Sequence, residues 1–437
     1  MDYPAMVTGD LLGLPFPPTI ERLLEQGPDF LTRAFRRSGA LGEDNAVVRI
    51  VRSQEFFGGG MGRKLLLGVE YQRQESGLHT ELFVKFPRDF GDPLRELFGP
   101  LMAPEVRFAL LSRREGFPIA VPRCYFADYH AGSTSGILIT ERVAYGSEGI
   151  EAAFEKCLDH ELADPLPHYR ALTLAMARLA AAHKAGRLGK GVDSEFPFEP
   201  GQVDVGARIP YTPAQLTEKL AVLQRFAAAH PQLFPPTLDA AFLARFAVEA
   251  PQVLEEEMAI RAYLNGQPDY IALCHWNMNL DNAWFWREGG ELAAGLLDWG
   301  SVAQMNLAQG FYGMSCAAEA DFLQTHRSGL IRLFIDEYAA GGGPRLDEAE
   351  FGFMYRLAVA VLGIAWILDA PTLVSQQLGD TRQLGGRDDP ALRGNFLARC
   401  QLQLLIVFLS EWRACDIGGA LRDFRRMASP PRRAAAG

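Results

Sequence analysis

Residues 273–286 read LCHWNMNLDNAWFW, and GLLDWG follows at 295–300. His275, Asn277, Asn279, Asp281 and Asn282 crowd into eight positions, all side chains that are costly to bury without partners. Leu273, Ala283, Trp284 and Phe285 flank them and belong in a core. The pattern predicts a strand that enters a polar loop and leaves it as a second strand. His275, Asn277 and Asn282 are spaced H-x-N-x4-N, and Asp298 stands sixteen residues after Asn282. An asparagine and an aspartate offer the oxygen ligands that a hard cation such as Mg²⁺ takes, and a lone acid after GLL in a buried strand needs a cation nearby.

Upstream there is a matching set of groups. A glycine cluster, GGGMG, brings Gly58, Gly59, Gly60 and Gly62, which can let backbone N–H groups approach phosphates. Lys85 ends the apolar run LFVKFP, and Glu105 opens the helical segment PEVRFALLSRR twenty residues later. A lysine neutralises phosphate, and a glutamate on the next helix orients it. A nucleoside triphosphate with Mg²⁺ requires these parts. Taken singly, each has a plainer reading: a surface strand lysine, a first-turn acid favoured by the helix dipole, a flexible hairpin, a hydrogen-bonded core histidine. His183 in AAAHKAG reads as a helix-end packing residue. A Lys85–Glu105 pair is expected to be partly solvated and so to add little stability.

The elements that must position these groups change character along the chain. PPTIERLLEQ and GPDFLTRAFRRSGAL, within residues 1–40, each carry helical periodicity. AVVRIVRSQEF, KLLLGVEYQR and HTELFVKFP read as three strands, the glycine cluster joining the first two. A helix follows at 104–114, then the strands AVPRCYFADYH and SGILITERV. The chain from 150 onward reads as mainly helical, interrupted by the strand-loop-strand block at 270–299. The predicted organisation is a helical segment over 1–40, a β-rich unit over 41–143 and a helical unit over 144–437. The fold class is α+β.

The chain has 437 residues, enough for a large core, with 48% hydrophobic and 22% charged residues, so it reads as globular. Net charge is −10 and pI about 5.4, which argues against nucleic acid or an anionic membrane as partner. The six cysteines form no CxxC pair, as expected for reduced, buried thiols in a cytoplasmic protein. The start, MDYPAMVTGDLLGLPFPP, lacks a basic region followed by an apolar run, so no signal peptide is expected. The apolar stretch 357–368, bounded by Arg356 and Asp369, is shorter than the roughly 20 residues a bilayer requires and reads as a core helix.

Over about residues 45–320 these motifs resemble the aminoglycoside phosphotransferase and choline kinase superfamily of the protein-kinase-like fold, nearest to its ecdysteroid-kinase-like branch. PEVRFALL with GFPIAVPRCYFADY, then LITERV, LCHWNMNLDNAWF and GLLDWG, stand in the order of that group's motifs. The resemblance implies a two-lobed fold with a small β-rich N-lobe and a large helical C-lobe, and ATP with Mg²⁺ in the cleft between them. It implies Lys85 on the phosphates and Glu105 as its ion-pair partner. Backbone groups from Glu141 to Val143 would meet adenine, His275 would brace the loop, and Asn282 and Asp298 would hold the metal. The implied activity is phosphorylation of a small-molecule alcohol. One departure is serious: the group has aspartate where this chain has Asn277, and an amide takes no proton at neutral pH. Asp281 is expected to point elsewhere, and Asn306 is a loose substitute for a further aspartate. Three readings stay open: a phosphotransferase in which Asn277 orients the hydroxyl, a pseudokinase that binds nucleotide only, and a binding protein that keeps the fold alone.

Overall fold

In the computed structural model residues 4–56, 62–200, 208–379 and 381–428 are described. The β-branched segments near the N-terminus pair as read. Val47–Phe56, Arg63–Tyr71, Glu81–Phe86, Ser135–Glu141 and Cys124–His130 form, in that spatial order, a five-stranded sheet in which every neighbour is antiparallel. The glycines at 58, 59 and 60 lie outside the described residues.

Side chains alternate across a strand, and this decides what faces what. Leu82, Val84 and Phe86 enter one cluster with Phe30, Leu31, Ala34 and Phe35 of the helix Ile20–Arg37. Lys85 therefore faces the opposite side of the sheet. Its cross-strand partner Leu138 packs there with Met102, Val106 and Ala109 of the helix Met102–Leu111. The two N-terminal helical segments of the sequence merge into one run bent at Gly27, which takes φ 60° and ψ −151° just before Pro28. Apolar residues of 1–40 share the core of the sheet. A short pair, Val7–Thr8 with Pro15–Phe16, also forms there and was not foreseen.

The rest of the chain is mainly helical, as expected, with one large apolar core. Two antiparallel strand pairs are set into it: Ile271–His275 with Val302–Asn306, and Ala283–Glu288 with Glu291–Leu296. The fold is α+β, sheet-rich in its N-terminal part and helical in its C-terminal part. The apolar stretch at 357–368 proves to be the middle of a longer helical run, Glu348–Leu378, with a π turn at Gly363–Ile367. By length and hydropathy that run would suffice to cross a membrane, but 72% of its most apolar window is buried inside the fold. All six cysteines are free, and five are buried.

The shared core makes the segment before the sheet integral to it. Phe30, fully buried edge-on to Phe126 at 5.8 Å between centroids, should cost about 3–5 kcal/mol when replaced by alanine, read by urea denaturation. A change below about 0.5 kcal/mol, the range of an exposed site, would mean that the helix is an appendage.

Candidate functional site

The strand-loop-strand block and the sheet meet at Lys85. Its ammonium lies 2.7 Å from a carboxylate oxygen of Glu105 and 2.8 Å from Oδ1 of Asp298. The Lys85 and Glu105 side chains are each 6% exposed, and Asp298 is 34% exposed. The expectation of a partly solvated Lys85–Glu105 pair is thus corrected: alternation turns Lys85 inward, and the helix lid over that face excludes water. Burial opposes the Lys85 charge, but the two carboxylates outweigh it and hold its pKa above the ordinary value. The neighbouring ammonium of Lys85 pulls Asp298 down to about 2 against the opposing effect of burial.

Asp298 is held by its surroundings in an uncommon backbone conformation. Its φ is 62° and its ψ 60°, left-handed space that side chains other than glycine seldom occupy and that recurs at functional sites. The next residue, Trp299, anchors it. The indole stacks on Phe108 at 3.7 Å and 18°, lies 4.5 Å from the His275 ring, and donates from Nε1 to Leu296 O at 3.1 Å. Phe108 is one turn beyond Glu105 on the same helix. A single aromatic side chain thereby ties the glutamate helix, the histidine and the aspartate together.

The loop between the strands is closed by its own polar groups. His275 donates from Nε2 to Leu297 O at 3.0 Å, and its Nδ1 accepts from Asn277 N at 3.1 Å. Fully buried, it is pushed down to about 4 by desolvation, so it is neutral with the proton on Nε2 and braces the loop. Asn282 donates from Nδ2 to Asn277 O at 2.8 Å, and Leu297 N donates to Asn282 O at 3.0 Å. Asn282 and Asp298 therefore flank the same strand junction, where Ala283 pairs with Leu296. Asn279 donates to Gly313 O at 2.9 Å and Met314 O at 3.2 Å, fixing the loop to the helix Leu307–Ser315. Gly313 permits that approach, since a Cβ there would sit 2.1 Å from Trp276 O.

Residues outside the quoted motifs complete the site. Lys156 reaches the loop from the segment before helix Leu166–Lys184. Its Nζ lies 3.1 Å from Asn277 Oδ1, 3.1 Å from Asn279 Oδ1 and 3.3 Å from both Asp281 oxygens. Asp281 was expected to point away; instead it shares one ammonium with Asn277, because a buried carboxylate and a buried lysine each need the other. Lys64 pairs across the strands with Lys85, and burial followed by repulsion from Lys85 lowers its pKa. Alternation on the strand Arg63–Tyr71 would have found Lys64. Nothing in the sequence pattern announces Lys156.

The other predicted residues divide. Glu141 ends its strand, with its carboxylate accepting from Arg123 N at 2.8 Å and its carbonyl accepting from the Thr140 hydroxyl at 2.9 Å. Among the described residues no backbone hydrogen bond uses Val143. Gly62 sits where a Cβ would lie 2.1 Å from Phe86 O, so the chain beside the glycine cluster packs against the end of the lysine strand. Asn306 is not part of the site: its side chain caps helix Leu307–Ser315 and donates to Leu264 O. His183 accepts from Leu273 N at 3.3 Å, as a packing residue would. No group of three or more His, Cys, Asp or Glu among the described residues is arranged to hold a metal. A groove of about 930 Å³ lies elsewhere, between the helix Leu166–Lys184 and the strand Glu291–Leu296.

No known family profile matches the chain, and no curated protein matches it by sequence. Solved structures with a similar chain path include a macrolide 2′-phosphotransferase type I, at 14% identity and TM-score 0.37 over 86% of this chain and 96% of that one. A choline kinase from Cryptosporidium parvum Iowa II is similar at 12% identity and TM-score 0.38 over 84% and 90%. A Plasmodium vivax ethanolamine kinase is similar at 12% identity and TM-score 0.40 over 82% and 81%.

Two measurements test the site's electrostatics. Glu105→Ala removes one partner of a buried ion pair and should cost about 3 kcal/mol in denaturant melts; under about 0.5 kcal/mol would mean a solvated pair. The folded pKa of His275, about 4, lies below its ordinary 6.5, so its contribution to stability is full above 6.5 and is lost as pH falls to about 4. Asp159, raised by burial to about 7, titrates in the opposite sense across that range, so the useful quantity is a difference between variants. The stability gap between wild type and His275→Asn should shrink by about 3 kcal/mol as pH falls from about 7 to about 4. A gap independent of pH would contradict a neutral, buried His275.

Proposed function

We propose that this chain is an ATP-dependent phosphotransferase of the aminoglycoside phosphotransferase and choline kinase superfamily, its motifs nearest the ecdysteroid-kinase-like branch, acting on a hydroxyl of a small molecule. The observation that carries this reading is the buried contact of Lys85 with both Glu105 and Asp298. A lysine from a sheet is held between a helix glutamate and an aspartate from a distant loop, which is the arrangement that phosphate binding with a metal ion uses.

In this reading Glu105 fixes the direction of Lys85, and Lys85 neutralises the phosphates. Lys64 adds a second cation on the same face. At the strand end the N–H groups of Glu141 and Arg142 are committed to Arg123 O and Glu81 O, so Val143 is the residue whose backbone meets the nucleotide base, and Gly62 lies on the phosphate side at the end of the lysine strand. Asn282 and Asp298 fit a hard cation. With Nδ2 of Asn282 committed to Asn277 O, its Oδ1 remains as a ligand, and among the described residues no hydrogen bond uses Oδ2 of Asp298. These two residues would hold Mg²⁺, which when bound neutralises charge on the transferring phosphoryl group. An all-oxygen set with only one carboxylate suits Mg²⁺, which keeps several waters and takes phosphate oxygens. His275 holds the loop in register, and Asn277 faces the acceptor side.

A second reading, a nucleotide binder without turnover, is favoured by one observation: an amide stands at 277, where the resemblance implies a carboxylate. General base help is worth about 10²–10⁴-fold, while positioning and charge stabilisation supply most of the acceleration in phosphoryl transfer. Turnover therefore survives loss of the base at a reduced rate.

Phosphate transfer from ATP should be detected with at least one member of a panel of amino sugars, macrolides, sterols and choline-like alcohols. Nucleotide binding with no transfer to any of them would favour the second reading. Asp298→Ala should abolish the Mg²⁺ dependence of ATP binding while the circular dichroism spectrum stays native. Unchanged Mg²⁺ dependence in the folded variant would remove the metal assignment.

A further inference from the structure

Lys156 makes four contacts with the polar loop and belongs to none of the motifs that define it. Its side chain is 18% exposed. Burial opposes its charge, but Asp281 together with the Cys157 and Cys316 side chains holds its pKa above the ordinary value. Its backbone is fixed as well: Arg399 Nε donates to Lys156 O at 3.2 Å from helix Phe396–Ala414. The ammonium is therefore held in place from both ends.

An ammonium only donates hydrogen bonds. The side-chain atoms of Asn277 and Asn279 that face Lys156 must therefore be their carbonyl oxygens, and the NH₂ groups must face away. For Asn279 the consequence is visible, since its Nδ2 donates to Gly313 O and Met314 O. For Asn277 no hydrogen bond among the described residues uses Nδ2, and the residue is only half-buried. Lys156 thus fixes the Asn277 oxygen and leaves its NH₂ without a hydrogen bond among the described residues.

We propose that Lys156 is a positioning residue for phosphoryl transfer, holding Asn277 so that its Nδ2 donates to the oxygens of the transferring phosphoryl group. This rests on the proposed phosphotransferase reading and deepens it. Position 277 then takes no proton. The acceptor oxygen forms its bond to the γ-phosphorus as the bond from that phosphorus to the β,γ-bridging oxygen breaks, and the hydroxyl proton passes to a phosphoryl oxygen. The products are ADP and a phosphate monoester, so atoms and charge balance without a side-chain base. Asn277 acts as a hydrogen-bond donor that strengthens as charge gathers on the phosphoryl oxygens.

The test uses the full-length protein with Mg²⁺, measuring by calorimetry the affinity for ATP and for ADP with aluminium fluoride, a mimic of the phosphoryl group in transit. Lys156→Met should weaken the ADP–aluminium fluoride complex about ten- to a hundred-fold, the range for losing one charge-assisted hydrogen bond, and change ATP affinity less than about threefold. Asn277→Ala should do the same, and the double variant should be no weaker than either single one, because both remove one contact. Lys156→Arg, which keeps the donor, should recover part of the loss. Where Lys156→Met fails to fold because Asp281 is left unpaired, Lys156→Met with Asp281→Asn is compared with Asp281→Asn alone. Equal weakening of ATP and of the mimic, or additive losses in the double variant, would overturn the role of Lys156 while leaving the phosphotransferase reading standing. Failure of the wild-type protein to bind Mg²⁺ and ATP at all would overturn both.

Discussion

Everything at the site is arranged around one buried ammonium. Lys85 stands on the inner face of a sheet, under a helix, where an isolated charge would cost several kcal/mol. Two carboxylates, Glu105 from the lid helix and Asp298 from the loop, meet it there. The sheet, the helix and the loop are thus committed to one geometry, since moving any of them strands a charge in a poorly solvated place. One ammonium against two carboxylates also leaves a local excess of negative charge. Lys64 offsets it in part, and a bound cation would offset it further.

The second constraint is the loop's way of satisfying itself. His275 stays neutral because burial disfavours its charged form, and both ring nitrogens have backbone partners. Asn282 and Asn279 use their NH₂ groups on backbone carbonyls, and Lys156 gathers the side-chain oxygens of Asn277, Asn279 and Asp281. The result is a polar patch in which, among the described residues, a few atoms carry no hydrogen bond: one oxygen of Asn282, one of Asp298 and the Asn277 NH₂. Those atoms are the ones that the proposed chemistry requires. Three asparagines in eight residues reflect a hydrogen-bonded framework.

Much of this was legible in the sequence, for identifiable reasons. Alternation and glycine placement showed the five strands. The position of Lys85 after an apolar strand and of Glu105 in a first turn foretold their contact. The oxygen-rich loop and the Asp-Trp after GLL marked the other half of the site. Burial was misjudged at the Lys85–Glu105 pair, because solvent exclusion depends on how the lid helix sits and not on local pattern. Asp281 was misplaced for a related reason. Its orientation is set by Lys156, more than a hundred residues earlier and in a segment with no periodicity. Long-range polar pairing of that kind leaves no local signature. The apolar stretch at 357–368 continues on both sides into the helical run Glu348–Leu378, because charged residues that end an apolar run do not end a helix.

The central claim is that the Lys85 triad and the loop beside it form a site for ATP with Mg²⁺. The most direct measurement is a crystal structure of the wild-type protein with Mg²⁺ and a non-hydrolysable ATP analogue. The account predicts phosphate oxygens at the Lys85 ammonium, a cation between Asn282 and Asp298, and the base against the strand end at Glu141 to Val143. Nucleotide bound elsewhere, for instance in the groove beside Leu166–Lys184, with Lys85 still closed on Glu105 and Asp298, would contradict it.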